Sequence, residues 1–470
     1  MPVPVVTIEQ MRRWEQATWA TGGAEREVIE QVGRLVALRA RELTRPQDRI
    51  LILAGKGHNG DDARCARPHL EDRRAELLEI QDPAAALGLV EQGLARAPDL
   101  IIDGLFGIGL NRPLDAAWTR LIDTVNQARR RVLAGDVPSG LQAETGEVLG
   151  AAIQAERTLT LAAPKVGLLR TEAAAQVGRL EVAPEIGLAP CPFDGELQWV
   201  LPGDFAGCPP TRPVVSHKGN YGHAAILAGW PGYHGAAVLA ARGAQRAQPG
   251  LITLLVEREI YAPVAAQLQA VMVRALAGAV ELPEGATGIL VGPGLAGPAA
   301  AERFRAALTT LWRGERAPLV VDASALEWLT SGPGKSEALR VITPHPGEAA
   351  RLLRTNAERL QSDRLGALRR LSAIYGDAWV VLKGHQTLVG RSEGPVWVNS
   401  SGNPHLAQGG SGDILAGFLV GLLAQPERQT DPGRTIAQAV WQHGAAADAL
   451  TTRRRNWIPE DLIESIGDAA

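Results

Sequence analysis

The sequence is short of lysine, of cysteine and of long apolar runs, and each shortage removes a class of protein from consideration. Its three cysteines, Cys65, Cys191 and Cys208, are odd in number and scattered. They suit neither a disulfide framework nor a zinc site and point to a reducing, cytoplasmic setting. No stretch holds about 20 unbroken apolar residues, so no membrane span is expected. Residues 1–14 lack the basic-then-apolar pattern of a secretory leader. A formal charge of -3 leaves no basic footprint for nucleic acid. At 470 residues, 46% of them apolar, the chain is too long for one ordinary core, and two globular domains are expected.

Arginine stands almost everywhere lysine could. Only Lys56, Lys165, Lys218, Lys335 and Lys383 remain, and Lys56, Lys218 and Lys383 each directly precede a glycine. A compact ammonium beside flexible backbone suits a phosphate, and arginine substitutes poorly there. These three are candidate phosphate contacts, with chance survival on the surface as the alternative.

Short apolar runs alternate with helix-length segments. They fall at 50–54, 100–103, 132–136 and 158–162 in the first half, and at 225–228, 251–256, 289–291, 319–322, 341–343 and 379–383 in the second. Runs apolar on both faces are the mark of parallel strands covered by helices on both sides. The expected class is α/β, as two three-layer αβα domains. Seven prolines between Pro184 and Pro213 resist regular structure and place the boundary near residues 200–212, giving domains 1–205 and 206–470.

The strongest local signal is Gly409-Gly410-Ser411-Gly412-Asp413. Residues 414–423 follow, apolar all round, and read as a buried helix. Glycines at a helix start aim amide N–H groups at one spot, where the helix dipole adds partial positive charge and forms an anion hole. A carboxylate beside it would repel a resting phosphate. Asp413 is therefore expected to take a proton from an attacking hydroxyl, with a helix N-cap as the alternative. Three more loops follow second-half strands, where open α/β sheets bind ligands. They are Gly292-Pro293-Gly294, Thr343-Pro344-His345-Pro346-Gly347-Glu348 and Lys383-Gly384-His385-Gln386-Thr387. His345, between two prolines, is well placed to touch a ligand. Two decoys fall away. Gly334-Lys335-Ser336 ends like a Walker A loop, but Leu329 occupies its first glycine position. Gly409-x-Ser411-x-Asp413 lacks the last glycine of a nucleophile elbow.

In the first half, three loops would open at one sheet edge. These are Gly55-Lys56-Gly57-His58-Asn59-Gly60-Asp61-Asp62, Asp103-Gly104-Leu105-Phe106-Gly107-Ile108-Gly109-Leu110 and Asp136-Val137-Pro138-Ser139-Gly140. Oxygens of Asn59, Asp103 and Ser139 could together hold a hard monovalent cation. A nucleotide pocket without catalysis is the alternative.

These motifs occur in order with Ser216-His217-Lys218-Gly219, Asp322-Ala323-Ser324-Ala325-Leu326 and Asn399-Ser400-Ser401-Gly402-Asn403. Over nearly all of residues 214–470 the chain thus resembles the ADP- or ATP-dependent NAD(P)HX dehydratases, a branch of the ribokinase-like fold. The resemblance implies that Lys383, Gly384, His385, Gln386 and Thr387, with Gly409, Gly410, Ser411 and Gly412, hold the nucleotide. Ala236, Gly294, His345 and Asp413 would face the hydrated dinucleotide, Asp413 as the catalytic base. Pro404, His405 and Gln408 depart from the pattern. Residues 8–200 resemble the Rossmann-like YjeF N-terminal family of NAD(P)HX epimerases, with Glu30-Gln31-Val32-Gly33 and Pro164-Lys165-Val166-Gly167-Leu168 in support. That resemblance implies substrate contacts from His58, Asn59, Gly60, Asp61 and Asp62, and from Gly107, Ile108, Gly109, Leu110, Asn111, Arg112 and Pro113. Asp136 would be both contact and catalytic residue, and Asn59, Asp103 and Ser139 would hold potassium.

One departure bears on activity. The family reads Asn-Asn-Gly-Gly-Asp-Gly where this chain has His58-Asn59-Gly60-Asp61-Asp62-Ala63. A side chain where the backbone needs a positive φ costs about 1 kcal/mol, and Asp61 brings negative charge toward a pyrophosphate. The fold is expected to survive these changes, with weakened or absent epimerisation as the alternative. The whole chain is expected to repair hydrated NADH and NADPH. One domain would epimerise, and the other would dehydrate with ADP, or ATP, and magnesium on the phosphates. A homo-oligomer is expected. The rival is a ribokinase-like small-molecule kinase with a non-catalytic N-terminal module.

Overall fold

Alternation decides the packing of the first half. Along the strand Arg49–Ala54, Ile50, Ile52 and Ala54 turn to one side, where Val32, Val36 and Ala63 cover them. Leu51 and Leu53 turn to the other, against Val90, Leu94, Leu121 and Val125. Each such side chain, fully buried, contributes about 1.5–3 kcal/mol. The result is a six-stranded parallel sheet in the order Arg74–Glu79, Arg49–Ala54, Leu100–Gly104, Val132–Gly135, Arg157–Leu161, Arg179–Ala183. Helices Glu25–Leu43 and His58–Ala66 lie on one face, Pro83–Ala95 and Ala116–Gln127 on the other. Because the strands run parallel, the loops after Ala54, Gly104 and Gly135 emerge at one edge.

The computed structural model describes residues 2–332 and 338–468, so Lys335 and the decoy at 334–336 lie outside the described residues. The chain divides into two compact units, residues 3–199 and residues from 200 onward. Val200 and Phe205 belong to the second unit, buried with Ala437 and Trp441. Among the described residues no helix is long and apolar enough to cross a membrane.

The sheet of the second unit runs Val396–Val398, Leu388–Gly390, Trp379–Leu382, Arg340–Ile342, Leu319–Val321, Gly288–Val291, His223–Leu227, Leu251–Glu257, Met272–Leu276. It is parallel except for the outer hairpin at 382–398. All ten expected strands of the chain are present within a residue or two, and the α/β class holds in both units. The expected buried helix is Ser411–Leu423, in which every residue from Ile414 on is buried. It lies backbone to backbone on helix His234–Arg246. A Cβ on Gly417 would sit 1.9 Å from Ala240 O, and one on Gly243 would sit 2.3 Å from Ile414 O. This contact holds the first turn of Ser411–Leu423 at the C-terminal edge of the strands.

Candidate active sites

In the second unit, Lys383 leaves the strand Trp379–Leu382 with its amide bonded to Pro344 O at 2.9 Å. Its Nζ lies 2.9 Å from Asp322 Oδ1 and 4.0 Å from Glu348 Oε2. Thr343 Oγ1 donates to the same Asp322 oxygen at 2.7 Å. Three loops after three neighbouring strands are thereby tied together. Burial pulls the Lys383 pKa down, but Asp322, Glu348 and Asp413 outweigh it and the ammonium is held above its ordinary value. A Cβ on Gly412 would lie 3.6 Å from Nζ, so the lysine reaches the start of the glycine helix.

That start needs glycine at position 410. Gly410 has φ 102° and a Cβ there would meet Leu239 Cδ1 at 2.5 Å. Gly410 is the N-cap, and no side chain caps this helix. Asp413 stands in the first turn instead, so the capping alternative does not describe it. Burial first, then the charges of Asp322 and Glu348, push its pKa up to about 7 against the pull of Lys383. Behind the turn, His443 Nε2 donates to Ser411 O at 3.0 Å, and burial pushes its pKa down to about 4.

Ala236 and Gly294 meet. A Cβ on Gly294, which has φ 66°, would lie 2.8 Å from Ala236 Cβ. His345 caps helix Pro346–Leu352 through Nδ1, which accepts from Gly347 N at 3.0 Å, while its half-exposed ring keeps Nε2 outward, 3.5 Å from Glu348 Oε1. Gln386 and Thr387 are buried in the loop after Trp379–Leu382. Lys218 does not join them. It is exposed and precedes the strand His223–Leu227, at the opposite edge of the sheet, so the lysine-before-glycine signal misled there.

In the first unit, a cavity of about 1090 Å³ opens at the strand ends. His58, Asn59, Asp62, Asp136 and every residue from Gly107 to Pro113 line it, as does Lys56. Gly60 and Asp61, also expected to contact the ligand, are not lining residues. A Cβ on Gly60 would lie 2.0 Å from Gly55 O, and Asp61 turns to Arg64 at 2.9 Å. The strain expected at positions 61 and 63 is absent as well. Both lie inside helix His58–Ala66 and neither has a positive φ.

Asp136 is the residue that does carry strain, with φ 59°. Its Oδ1 accepts from Lys165 Nζ at 2.5 Å and from Leu161 N at 3.2 Å. Lys165, 1% exposed, is a site residue that its surroundings in sequence did not reveal. Glu15 is another. Burial and the charge of Asp136 raise its pKa. Asp62 is pushed up to about 8 by burial, then by Asp136 and Asp61.

Deeper in, Asp103 is fully buried. Its Oδ1 accepts from Ser139 Oγ at 2.6 Å and its Oδ2 from Ser139 N at 2.8 Å. Burial raises its pKa to about 6 despite these bonds. Asn59 Nδ2 donates to Phe106 O at 2.6 Å, while its Oδ1 is buried with no donor. A buried carboxylate without a cation beside an orphaned carbonyl oxygen is a donor set that a potassium ion fits.

Comparison with known proteins bears on both units. Residues 224–467 match the family model described as NAD(P)H-hydrate dehydratase, and residues 76–167 match that of the YjeF-related protein N-terminus. The chain is 35% identical over 476 residues to the bifunctional NAD(P)H-hydrate repair enzyme of Moorella thermoacetica, covering 88% of this chain and 86% of that one. It is 35% identical over 496 residues to the enzyme of the same name from Gloeobacter violaceus, covering 96% and 94%. Among solved structures, a ribokinase-like superfamily protein from Enterococcus faecalis shares 26% identity at a TM-score of 0.51, covering 59% of this chain and 96% of that one. The ADP/ATP-dependent NAD(P)H-hydrate dehydratase of Bacillus subtilis, co-crystallised with ATP and magnesium, shares 30% identity at a TM-score of 0.49, covering 55% and 92%.

Proposed function

This chain belongs to the family of bifunctional NAD(P)H-hydrate repair enzymes, and on that premise we propose that the first unit, residues 3–199, interconverts the epimers of hydrated NADH and NADPH while the second, from residue 200 onward, dehydrates the (S) epimer with ADP. The observation that carries the second assignment is Lys383, fixed by Asp322 and Glu348 beside Gly412 and Asp413. In this reading Asp413, ionised near neutral pH, takes the proton of the substrate hydroxyl. The oxygen attacks the terminal phosphorus and AMP leaves. Phosphate then departs with a proton from the neighbouring ring carbon, restoring the double bond of NAD(P)H. Lys383 and the amides at the helix start balance the growing negative charge.

In the first unit, Asp136 and Lys165 would handle the proton at the hydrated carbon. Asn59, Asp103 and Ser139 would hold potassium, which would neutralise the buried Asp103. Among the described residues no three His, Cys, Asp or Glu side chains cluster as a metal cage, so magnesium would be held mainly through the nucleotide's phosphates. It would neutralise phosphate charge. The reading includes a cytoplasmic setting and a homo-oligomer, the latter checked by light scattering.

The deciding experiment gives the whole chain hydrated NADH with ADP and with ATP in separate reactions. Inorganic phosphate and NADH absorbance should rise together, faster with ADP. A stable phosphoester without NADH would replace this reading with that of a small-molecule kinase.

A further inference from the structure

Burial pushes the pKa values of two arginines of the second unit down to about 10, but Arg340 is buried and Arg364 only partly so, and their surroundings differ. Arg340 spends every nitrogen on backbone carbonyls. Its Nε donates to Trp312 O at 2.8 Å, Nη1 to Ala317 O at 3.2 Å and Nη2 to Glu315 O. It closes the end of helix Pro298–Gly314 and has nothing left to offer.

Arg364 opens helix Arg364–Ile374 beneath the Lys383–Thr387 loop. Its Nη1 donates to His385 O and its Nη2 to Leu382 O at 3.4 Å. Its Nε is buried without an acceptor, and no ion pair joins it to a carboxylate among the described residues. Burial, then the charge of Arg364, lower the His385 pKa, and the loop Lys383–Thr387 contains no carboxylate to answer the guanidinium. A partly buried guanidinium with an unpartnered buried Nε favours an anion from outside the protein.

The loop above it shows the same shortage of acceptors. Gln386 is 9% exposed, and its Nε2 is buried with no acceptor. Gln386 also sits at φ 53°, a conformation that a residue with a side chain rarely holds unless its surroundings fix it. By holding the carbonyls of Leu382 and His385, Arg364 fixes both peptides. A trans peptide then turns the amide of Gln386 away from the arginine.

We propose that Arg364 is a nucleotide-positioning residue, which pins the turn carrying Lys383 and supplies positive charge whose counter-ion is the nucleotide's phosphate group. This rests on the dehydratase reading above.

The test uses the full chain with ADP as the probe, measured by equilibrium dialysis and by the separate Michaelis constants for ADP and for hydrated NADH. Arg364→Gln should weaken ADP binding about tenfold or more, the scale of losing charge-assisted contacts. Arg364→Lys keeps the charge but loses the two-carbonyl fork, and should fall between the two. The constant for hydrated NADH and the rate of epimerisation should stay within about twofold in both, since neither touches Arg364. Arg340→Gln should lower the melting temperature and leave ADP affinity unchanged. Equal ADP affinity in wild type and in both Arg364 variants overturns the inference and spares the dehydratase reading. So does a parallel loss toward both substrates, which would mark general distortion. A wild-type chain that does not bind ADP at all sinks the dehydratase reading, and this inference with it.

Discussion

Asp322 Oδ1 accepts from both Lys383 Nζ and Thr343 Oγ1, at 2.9 and 2.7 Å, so one carboxylate oxygen aligns the ends of three neighbouring strands. The lysine is therefore fixed before any nucleotide arrives, which lowers the ordering cost of binding. Lys383→Ala should raise the Michaelis constant for the nucleotide by about tenfold or more, and that for the dinucleotide far less. Steady-state kinetics with each substrate varied in turn checks this. An unchanged nucleotide dependence would return Lys383 to a structural role.

The same cluster sets a pH dependence. Asp413 must be ionised to accept a proton, and its pKa lies near 7. Dehydration should rise as pH climbs through that value and then level off. Asp322 raises the Asp413 pKa, so Asp322→Asn should move the rise to lower pH. Lys383 lowers it, so the residual activity of Lys383→Ala should begin at higher pH. Profiles of kcat/KM for the three proteins test the sign of each shift, and two shifts in one direction would break the argument.

Much of this was legible beforehand because buried parallel strands announce themselves. The run at 289–291 is buried on both sides and needs no context. Met272–Leu276 escaped notice because it is an edge strand on which only Leu276 is buried. Arg74–Glu79 was missed for the same reason. Sites followed a similar divide. Gly410 and Asp413 sit in one short motif, whereas Lys165 acts on Asp136 across 29 residues of sequence. No local spacing encodes such a pairing. Lys218 shows the converse, a local signal without the tertiary position to use it.

The altered loop at 58–63 should prove tolerant. Positions 61 and 63 are helical, and Asp61 already pairs with Arg64. Asp61→Gly with Ala63→Gly should not speed epimerisation. It should instead lower stability, by about 1 kcal/mol for Ala63→Gly and less for Asp61→Gly, since aspartate is itself a weak helix former. Epimerisation rates and thermal melts of both proteins decide, and a severalfold gain in rate would restore the view that this loop is impaired.

Potassium should stabilise the first unit without any substrate. A ligand that binds only the folded state raises the melting temperature with concentration. Potassium chloride should therefore raise it by a few degrees over lithium chloride at equal ionic strength. Asn59→Ala removes the orphaned oxygen and should abolish the difference. An equal response to both salts in wild type would leave Asp103 without its proposed counter-ion.

Asp413→Asn addresses the chemistry most directly. Asparagine matches the carboxylate in size but cannot take a proton. Asp413 provides no cap to its helix, whose N-cap is Gly410, so little folding stability is at stake. The raised pKa argues further that the ionised form is a burden on the fold. Its folded pKa lies above the unfolded value, so stability is lost as pH rises through the interval between them. At pH 8 the asparagine variant should then melt at the same temperature as wild type or higher. Its turnover should fall by about a hundredfold or more, the usual scale of a lost general base. ADP affinity and epimerisation in the other half of the chain should be kept. A variant retaining more than about a tenth of wild-type turnover would show that the substrate hydroxyl loses its proton elsewhere, because general bases seldom contribute so little.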